Sequence, residues 1–251
     1  MDGAEPDRWS DVADEWARLW GGFAEPAWDV VVAASGVGAG ARVLDVGCGS
    51  GDLLAYLDRR GMSVAGIDPA PGMVSLARAR VPAAEVRQGD AEHLPWGDAA
   101  FDLVTSVNAL QFADDVDDAL AELVRVVGPG GQVAVANWAE GRHNDLDVIE
   151  QAVARAREEE PLPDGDLREP GGLEELFADG GLEVVASGLV EVPWRVPGDD
   201  ALVRGVLLGE EADVVAELAP VVLAASARFL AADGGYVLRN HFRYAVGRAA
   251  G

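Results

Sequence analysis

The sequence predicts an α/β protein, a mostly parallel sheet with helices on both faces and a helical cap, on three observations. From Ala41 to about Asn137, short apolar runs alternate with amphipathic stretches, the pattern of strands buried on both faces. The first run, Arg42 to Val46, enters a glycine turn, Gly47-Cys48-Gly49-Ser50-Gly51, ahead of a helical segment. The 251 residues are 49% apolar, enough for one sizeable core with an added cap.

The elements follow in order. After the strand Arg42 to Val46, a helix opened by Gly51 or Asp52 carries Leu53, Leu54 and Leu57 until Gly61 stops it. Strand two is Ser63 to Ile67. Asp68-Pro69 ends it, since the residue before a proline avoids α geometry, and Met73, Leu76 and Ala77 mark a helix to about Arg80. Strand three spans about Ala84 to Arg87 and strand four Phe101 to Ser106. The helix Asp114 to Val127 sets Val116, Leu120, Leu123, Val124 and Val127 on one face, and Gly128-Pro129-Gly130-Gly131 ends it before strand five, Gln132 to Ala136. A helix from Asn144 or Asp145 to about Glu159 ends in acids that oppose its dipole, so its last turn should fray. A turn-rich segment over residues 161–172 leads to a short helix, Leu173 to Ala178, a long strand, Leu182 to Val196, and a final strand, Gly234 to Gly247. Between these strands, residues 197–233 are too many for a hairpin and are expected to form a helical cap insert. Residues 1–40 are expected to be a helical lid on a main domain over residues 41–251.

Composition narrows the partners. Lys+Arg number 19 against 44 Asp+Glu, a formal charge of -25 that repels nucleic acid and anionic membrane surfaces, so neither is expected as a partner. The lone Cys48 excludes an intramolecular disulfide and a thiolate metal cluster, and no metal site is expected. Without a basic leader or a spanning apolar stretch, a cytoplasmic location is expected. No feature sets the oligomeric state.

The glycine turn carries the functional signal. A dinucleotide fingerprint requires G-x-G-x-x-G/A; here the spacing is G-x-G-x-G followed by Asp52, with Asp45 two residues before the first glycine. Flanking carboxylates suit a ligand with a cationic end better than a pyrophosphate. Asp68, 17 residues past Gly51, ends strand two where an acid can accept from two ribose hydroxyls. Gln88-Gly89-Asp90-Ala91 closes strand three, placing a carboxylate for an adenine amino group. In this order, the glycine turn, the ribose acid, the GDA segment and the PGG before strand five resemble the class I S-adenosylmethionine (SAM) dependent methyltransferases, small-molecule branch, which includes the ubiquinone and menaquinone enzymes. The resemblance covers roughly Val43 to Ala136. It implies a Rossmann-like, seven-stranded sheet with an antiparallel last strand and SAM as cofactor. It also implies a cofactor site of Asp45, Gly47, Gly49, Gly51, Asp68, Pro69, Asp90, Ala91 and Asn108. Ser106 to Ala109 reads SVNA and lacks the N-P-P-Y or D-P-P-Y tetrad of the DNA and protein-glutamine enzymes.

The expected reaction is methyl transfer to a small organic acceptor on O, N or C, with a place in secondary metabolism. Methyl transfer from a sulfonium chiefly needs alignment and exclusion of water, and a base only where the nucleophile must lose a proton. Four of the seven tryptophans precede residue 29, and Trp9, Val12, Trp16, Leu19, Trp20 and Phe23 recur at helical spacing, as in a packed lid. Trp16, Trp20, Trp138, Arg142 and Trp194 are the acceptor-pocket candidates, and His143, just beyond strand five, is the candidate base. His93 reads as an exposed or loop-bracing residue. Three alternatives stand: a methyltransferase-fold cyclase or rearrangement catalyst that retains SAM, a partner subunit without activity, and a nicotinamide dehydrogenase, which the glycine spacing disfavours.

Overall fold

Five strands form where the apolar runs are punctuated by glycine, proline or acid: β1 (Arg42–Val46), β2 (Ser63–Asp68), β3 (Glu85–Gln88), β4 (Leu103–Val107) and β5 (Gln132–Trp138). The structure is a computed structural model and describes residues 6–161 and 163–250. These strands run parallel, and β1, β4 and β5 are almost wholly buried, as expected for strands covered on both faces. With β6 (Leu182–Glu191) and β9 (His241–Ala249) they form one seven-stranded sheet of order β3-β2-β1-β4-β5-β9-β6, in which β9 is antiparallel to both neighbours. The order reverses between β1 and β4, the switch point where open α/β sheets bind ligands.

Each face buries one apolar layer. Val31 and Val32 of α3 (Glu25–Ser35), Leu54 and Leu57 of α4 (Asp52–Asp58) and Val74 and Ala77 of α5 (Pro71–Arg80) pack with Val43 and Leu103. On the other face, Leu120 and Leu123 of α6 (Val116–Val127) and Phe177 of α8 (Gly172–Asp179) pack with Leu44, Val104 and Val133. Asp115 caps α6, its carboxylate accepting from the backbone N–H of Asp117 and Asp118 at 3.0 and 3.1 Å.

The two long C-terminal strands expected from the sequence are each broken. The first divides at Val192-Pro193 into β6 and β7 (Trp194–Val196), and the second at Arg239-Asn240 into β8 (Tyr236–Leu238) and β9; β7 and β8 pair as a separate two-stranded sheet. Asn240 fixes the break, because its carbonyl accepts from Val192 N at 2.7 Å and its amide oxygen from Leu146 N at 3.1 Å. Beyond the break, α9 (Asp199–Val206) and α10 (Ala212–Ser226) form the insert, and their core also takes in β7, β8 and Leu146 and Ile149 of α7 (Asp145–Ala156), so the cap is larger than residues 197–233. Among the described residues, α7 ends at Ala156 rather than Glu159, and Glu158 lies in the left-handed region at φ 57°.

The N-terminal segment is three helices, α1 (Pro6–Asp11), α2 (Ala13–Leu19) and α3; Gly21-Gly22 separates α2 from α3, whose first turn holds Pro26. Ser10 Oγ accepts from Gly72 N at 3.1 Å, which holds α1 against the start of α5. No helix among the described residues is long and apolar enough to cross a membrane.

Candidate functional site

A cavity of about 350 Å³ opens at the C-terminal ends of β1, β2 and β4, beneath the lid. The glycine turn forms its floor. Gly47 has φ +74°, and a Cβ there would overlap the Ala109 methyl; Gly51 has φ +81°, and a Cβ would lie 2.8 Å from Ala77 Cα. The turn is held by Ile67, whose carbonyl accepts from Gly47 N at 2.9 Å and Cys48 N at 3.0 Å. Only glycine lets β1 turn into α4 this closely against its neighbours.

Two carboxylates stand at the centre. Asp68, 8% exposed, accepts from Gly49 N at 2.9 Å through Oδ2 and from Ala70 N at 3.0 Å through Oδ1. Each oxygen keeps a lone pair beyond those bonds. Burial raises its pKa, against the lowering effect of the two N–H groups. Asp45, 3% exposed, lies opposite Thr105 in the β1–β4 register and accepts from its hydroxyl at 2.8 Å. Burial pushes the Asp45 carboxyl up to about 7; the Thr105 hydroxyl opposes the shift and the charge of Asp68 adds to it. Burial and both acids also raise the Cys48 thiol well above its ordinary value, which leaves it a small packing residue of the turn.

The remaining walls come from loops. Asp90 is paired with His93 Nδ1 at 3.0 Å, both side chains exposed, so His93 braces the segment after β3. Glu92 accepts from Asp114 N at 2.7 Å and so ties that segment to the chain beyond β4. Asn108 ends β4 at φ 56°, with its N–H on Ala136 O at 2.6 Å and its amide oxygen accepting from Gln111 at 2.9 Å. Asparagine is one of the few non-glycine residues that adopt this left-handed region readily. Trp9 meets Phe112 edge-on at 6.0 Å across the mouth, and Trp16 lies over Gly49.

The structure brings Asp45, Gly47, Gly49, Asp68, Pro69, Asp90, Ala91, Asn108 and Trp16 to the lining of this one cavity. It does not bring the others there. Gly51 serves the packing of α4 on α5. Trp20 stacks on Trp194 at 3.9 Å and 10° and donates to Gly205 O at 3.2 Å, while Trp194 donates to Leu19 O at 2.8 Å; both belong to the cap core. Trp16 reaches the cavity lining while also packing on the edge of the cap core, whereas Trp20 is buried within that core and off the lining. Trp138 packs between Phe23 and Phe242 at 5.6 and 5.1 Å. Arg142 is an exposed partner of Glu140. His143 is off the lining, its Nε2 4.0 Å from Glu140 and its carbonyl 2.8 Å from His241 Nδ1. The position just past β5 faces a structural ion-pair cluster around Glu140 and Arg243, not the cavity. Sequence reasoning missed Ser106, Phe112, Glu92, Asp114 and Trp28 as lining residues. Glu92 was legible, being adjacent to Asp90-Ala91; the others depend on how the lid and the loop after β4 fold over the floor.

An open α/β sheet with a glycine turn at its switch point is the doubly wound, nucleotide-binding type of architecture. Residues 44–135 match the methyltransferase domain family. The chain is 40% identical over 107 residues to the malonyl-[acyl-carrier protein] O-methyltransferase of Serratia marcescens, covering 43% of this chain and 42% of that protein. The alignments with its curated relatives span 42% to 50% of their length. Its fold is that of a putative methyltransferase from Bacillus halodurans, with TM-score 0.63, 16% identity, and coverage of 89% of this chain and 99% of the other. It is also that of the [4+2]-cyclase SpnF, with TM-score 0.59, 18% identity and full coverage of both chains.

Proposed function

We propose that the protein transfers a methyl group from SAM to a small organic acceptor held in the cavity under the lid. The observation that carries this reading is the convergence of Asp45, Gly47, Gly49, Asp68, Asp90 and Asn108, from four separate chain segments, on one cavity at the switch point. The residues fit the cofactor. Asp68 has a free lone pair on each oxygen for the two ribose hydroxyls, and Asp90, on the lining, is assigned to an adenine amino group. Asp45 offers a buried charge to an ammonium. The bare backbone at Gly47 and Gly49 allows close approach, and Ser106, buried on the lining, has an unpartnered hydroxyl.

When bound, SAM would supply an electrophilic methyl for the acceptor, the S–CH3 bonding pair remaining on sulfur and any acceptor proton passing to solvent. The protein's part is orientation and dryness. Asp68, fixed by two N–H donors, sets the cofactor's register, and Trp9, Trp16 and Phe112 close the aromatic side of the cavity. Among the described residues no histidine lines the cavity, so transfer is assigned to alignment rather than to an imidazole base. No arginine lines it either to pair the free carboxylate of a malonyl group, so the acceptor of the Serratia relative is not carried over. We place the enzyme in a reducing cytoplasm, where its single buried thiol is stable.

Native mass spectrometry before and after addition of SAM is the test. A bound mass of SAM or S-adenosylhomocysteine supports the reading; no adduct on folded protein refutes it. Turnover of an acceptor without stoichiometric S-adenosylhomocysteine would instead assign a cyclase or rearrangement catalyst.

A further inference from the structure

We propose that the methyl acceptor is an apolar molecule carrying no negative charge, neutral or cationic, and that the cavity excludes anionic acceptors; this rests on the methyltransferase reading above. The lining bears six carboxylates, Asp45, Asp52, Asp68, Asp90, Glu92 and Asp114, and no arginine or histidine among the described residues. The chain contains no lysine, and residues 1–5, outside the described residues, have no basic side chain. Four of the acids have work elsewhere. Asp45, Asp68 and Asp90 belong to the cofactor side, and Asp52 is ion-paired with Arg80, which is off the lining. Glu92 and Asp114 remain, linked to each other at the mouth, beside Trp9 and Phe112.

Aromatic faces with uncompensated carboxylates attract a cation and tolerate a neutral ring, whereas an anion would meet like charge in a partly desolvated space. The acids are not a disguised metal site, because among the described residues no three His, Cys, Asp or Glu side chains are grouped to hold a metal ion.

The test uses a matched series on protein saturated with S-adenosylhomocysteine: 2-phenylethylamine, 2-phenylethanol and phenylacetate. Binding is measured by calorimetry at about 0.5 M salt, where the global charge of the chain is screened and the local lining is not. The amine and the alcohol are expected to bind at least about ten-fold tighter than the carboxylate. Glu92→Gln keeps the oxygen that accepts from Asp114 N and is expected to narrow the gap between amine and carboxylate. Phenylacetate binding as tightly as the other two, or no binding by any of the three, overturns the proposal. Saturation with S-adenosylhomocysteine is verified first by native mass spectrometry. Its failure refutes the methyltransferase reading alone, and the same series on the protein by itself still decides the charge preference.

Discussion

Replacing Asp68 by alanine separates the two duties of its carboxylate. In the ligand-free protein the side chain accepts from Gly49 N and Ala70 N, and Ala70 is 1% exposed. Removing the acceptor strands the Ala70 N–H in the interior at about 1–2 kcal/mol, which for a chain of this size lowers Tm by about 2–6 °C. The second duty is the proposed one: two charge-assisted bonds to ribose hydroxyls would contribute about 3 kcal/mol in all, or roughly 100-fold to 200-fold in Kd. Calorimetric titration of Asp68→Ala with S-adenosylhomocysteine at a temperature below both melting transitions should therefore show that loss of affinity. Asp68→Asn, which keeps one oxygen acceptor, should recover part of the stability and little of the affinity. An Asp68→Ala protein that is destabilised as expected yet binds within about three-fold of wild type would refute the ribose assignment while leaving the structural role intact.

Other expectations follow from the same geometry. Asp45 sits at about 7 in the folded protein against about 3.9 in an unfolded chain, so the ligand-free fold binds the extra proton and loses stability as pH rises from about 4 through 7. Asp45→Asn removes that term, worth on the order of 4 kcal/mol, and should melt above wild type at pH 8 without ligand; equal melting curves would contradict the buried acid. Gly47→Ala places a methyl on that of Ala109 at a positive φ and should abolish cofactor binding while a folded far-UV spectrum persists. Trp20→Ala breaks the stack on Trp194 and the bond to Gly205 and should cost about 3–5 kcal/mol in denaturant titrations. His143→Ala should change S-adenosylhomocysteine affinity by less than about two-fold, because the ring faces Glu140 and not the cavity.

The parallel half of the sheet was legible because its signals are local. The expected and observed strands agree within two residues from β1 to β5, each a buried run bounded by glycine, proline or acid. The cavity floor was legible for the same reason: Asp45, the glycines, Asp68 and Asp90-Ala91 lie at strand ends whose positions fix their direction. The walls were not. Trp16 and Trp20 are four residues apart and share a helical stripe, yet one faces the cavity and the other the cap; periodicity does not show where Gly21-Gly22 bends the chain. His143 and Arg142 follow β5 as expected, but the ion pair of Glu140 with Arg243, 103 residues away in sequence, turns that segment into a structural joint. Pro193 lies inside the run read as one strand, Leu182 to Val196, and was passed over as a break, whereas Asn240 acts through contacts with Val192 and Leu146 that no local pattern carries.

Glu191 and His241 face each other in the β6–β9 register, so everything from Val192 to Asn240 leaves and re-enters the sheet between adjacent rungs of one ladder. The cap is therefore the overgrown tip of a β-hairpin. A longer or shorter tip changes the closure entropy only logarithmically and leaves the register of all seven strands alone. The appendage adds no strand to the parallel sheet around the cavity, and it meets the N-terminal helices through the stack of Trp194 on Trp20. The shared family match stops at residue 135, before the appendage begins. The glycine turn with its acids and the cap insert thus occupy separate lengths of chain, and the N-terminal helices bridge them, Trp16 over Gly49 and Trp20 on Trp194.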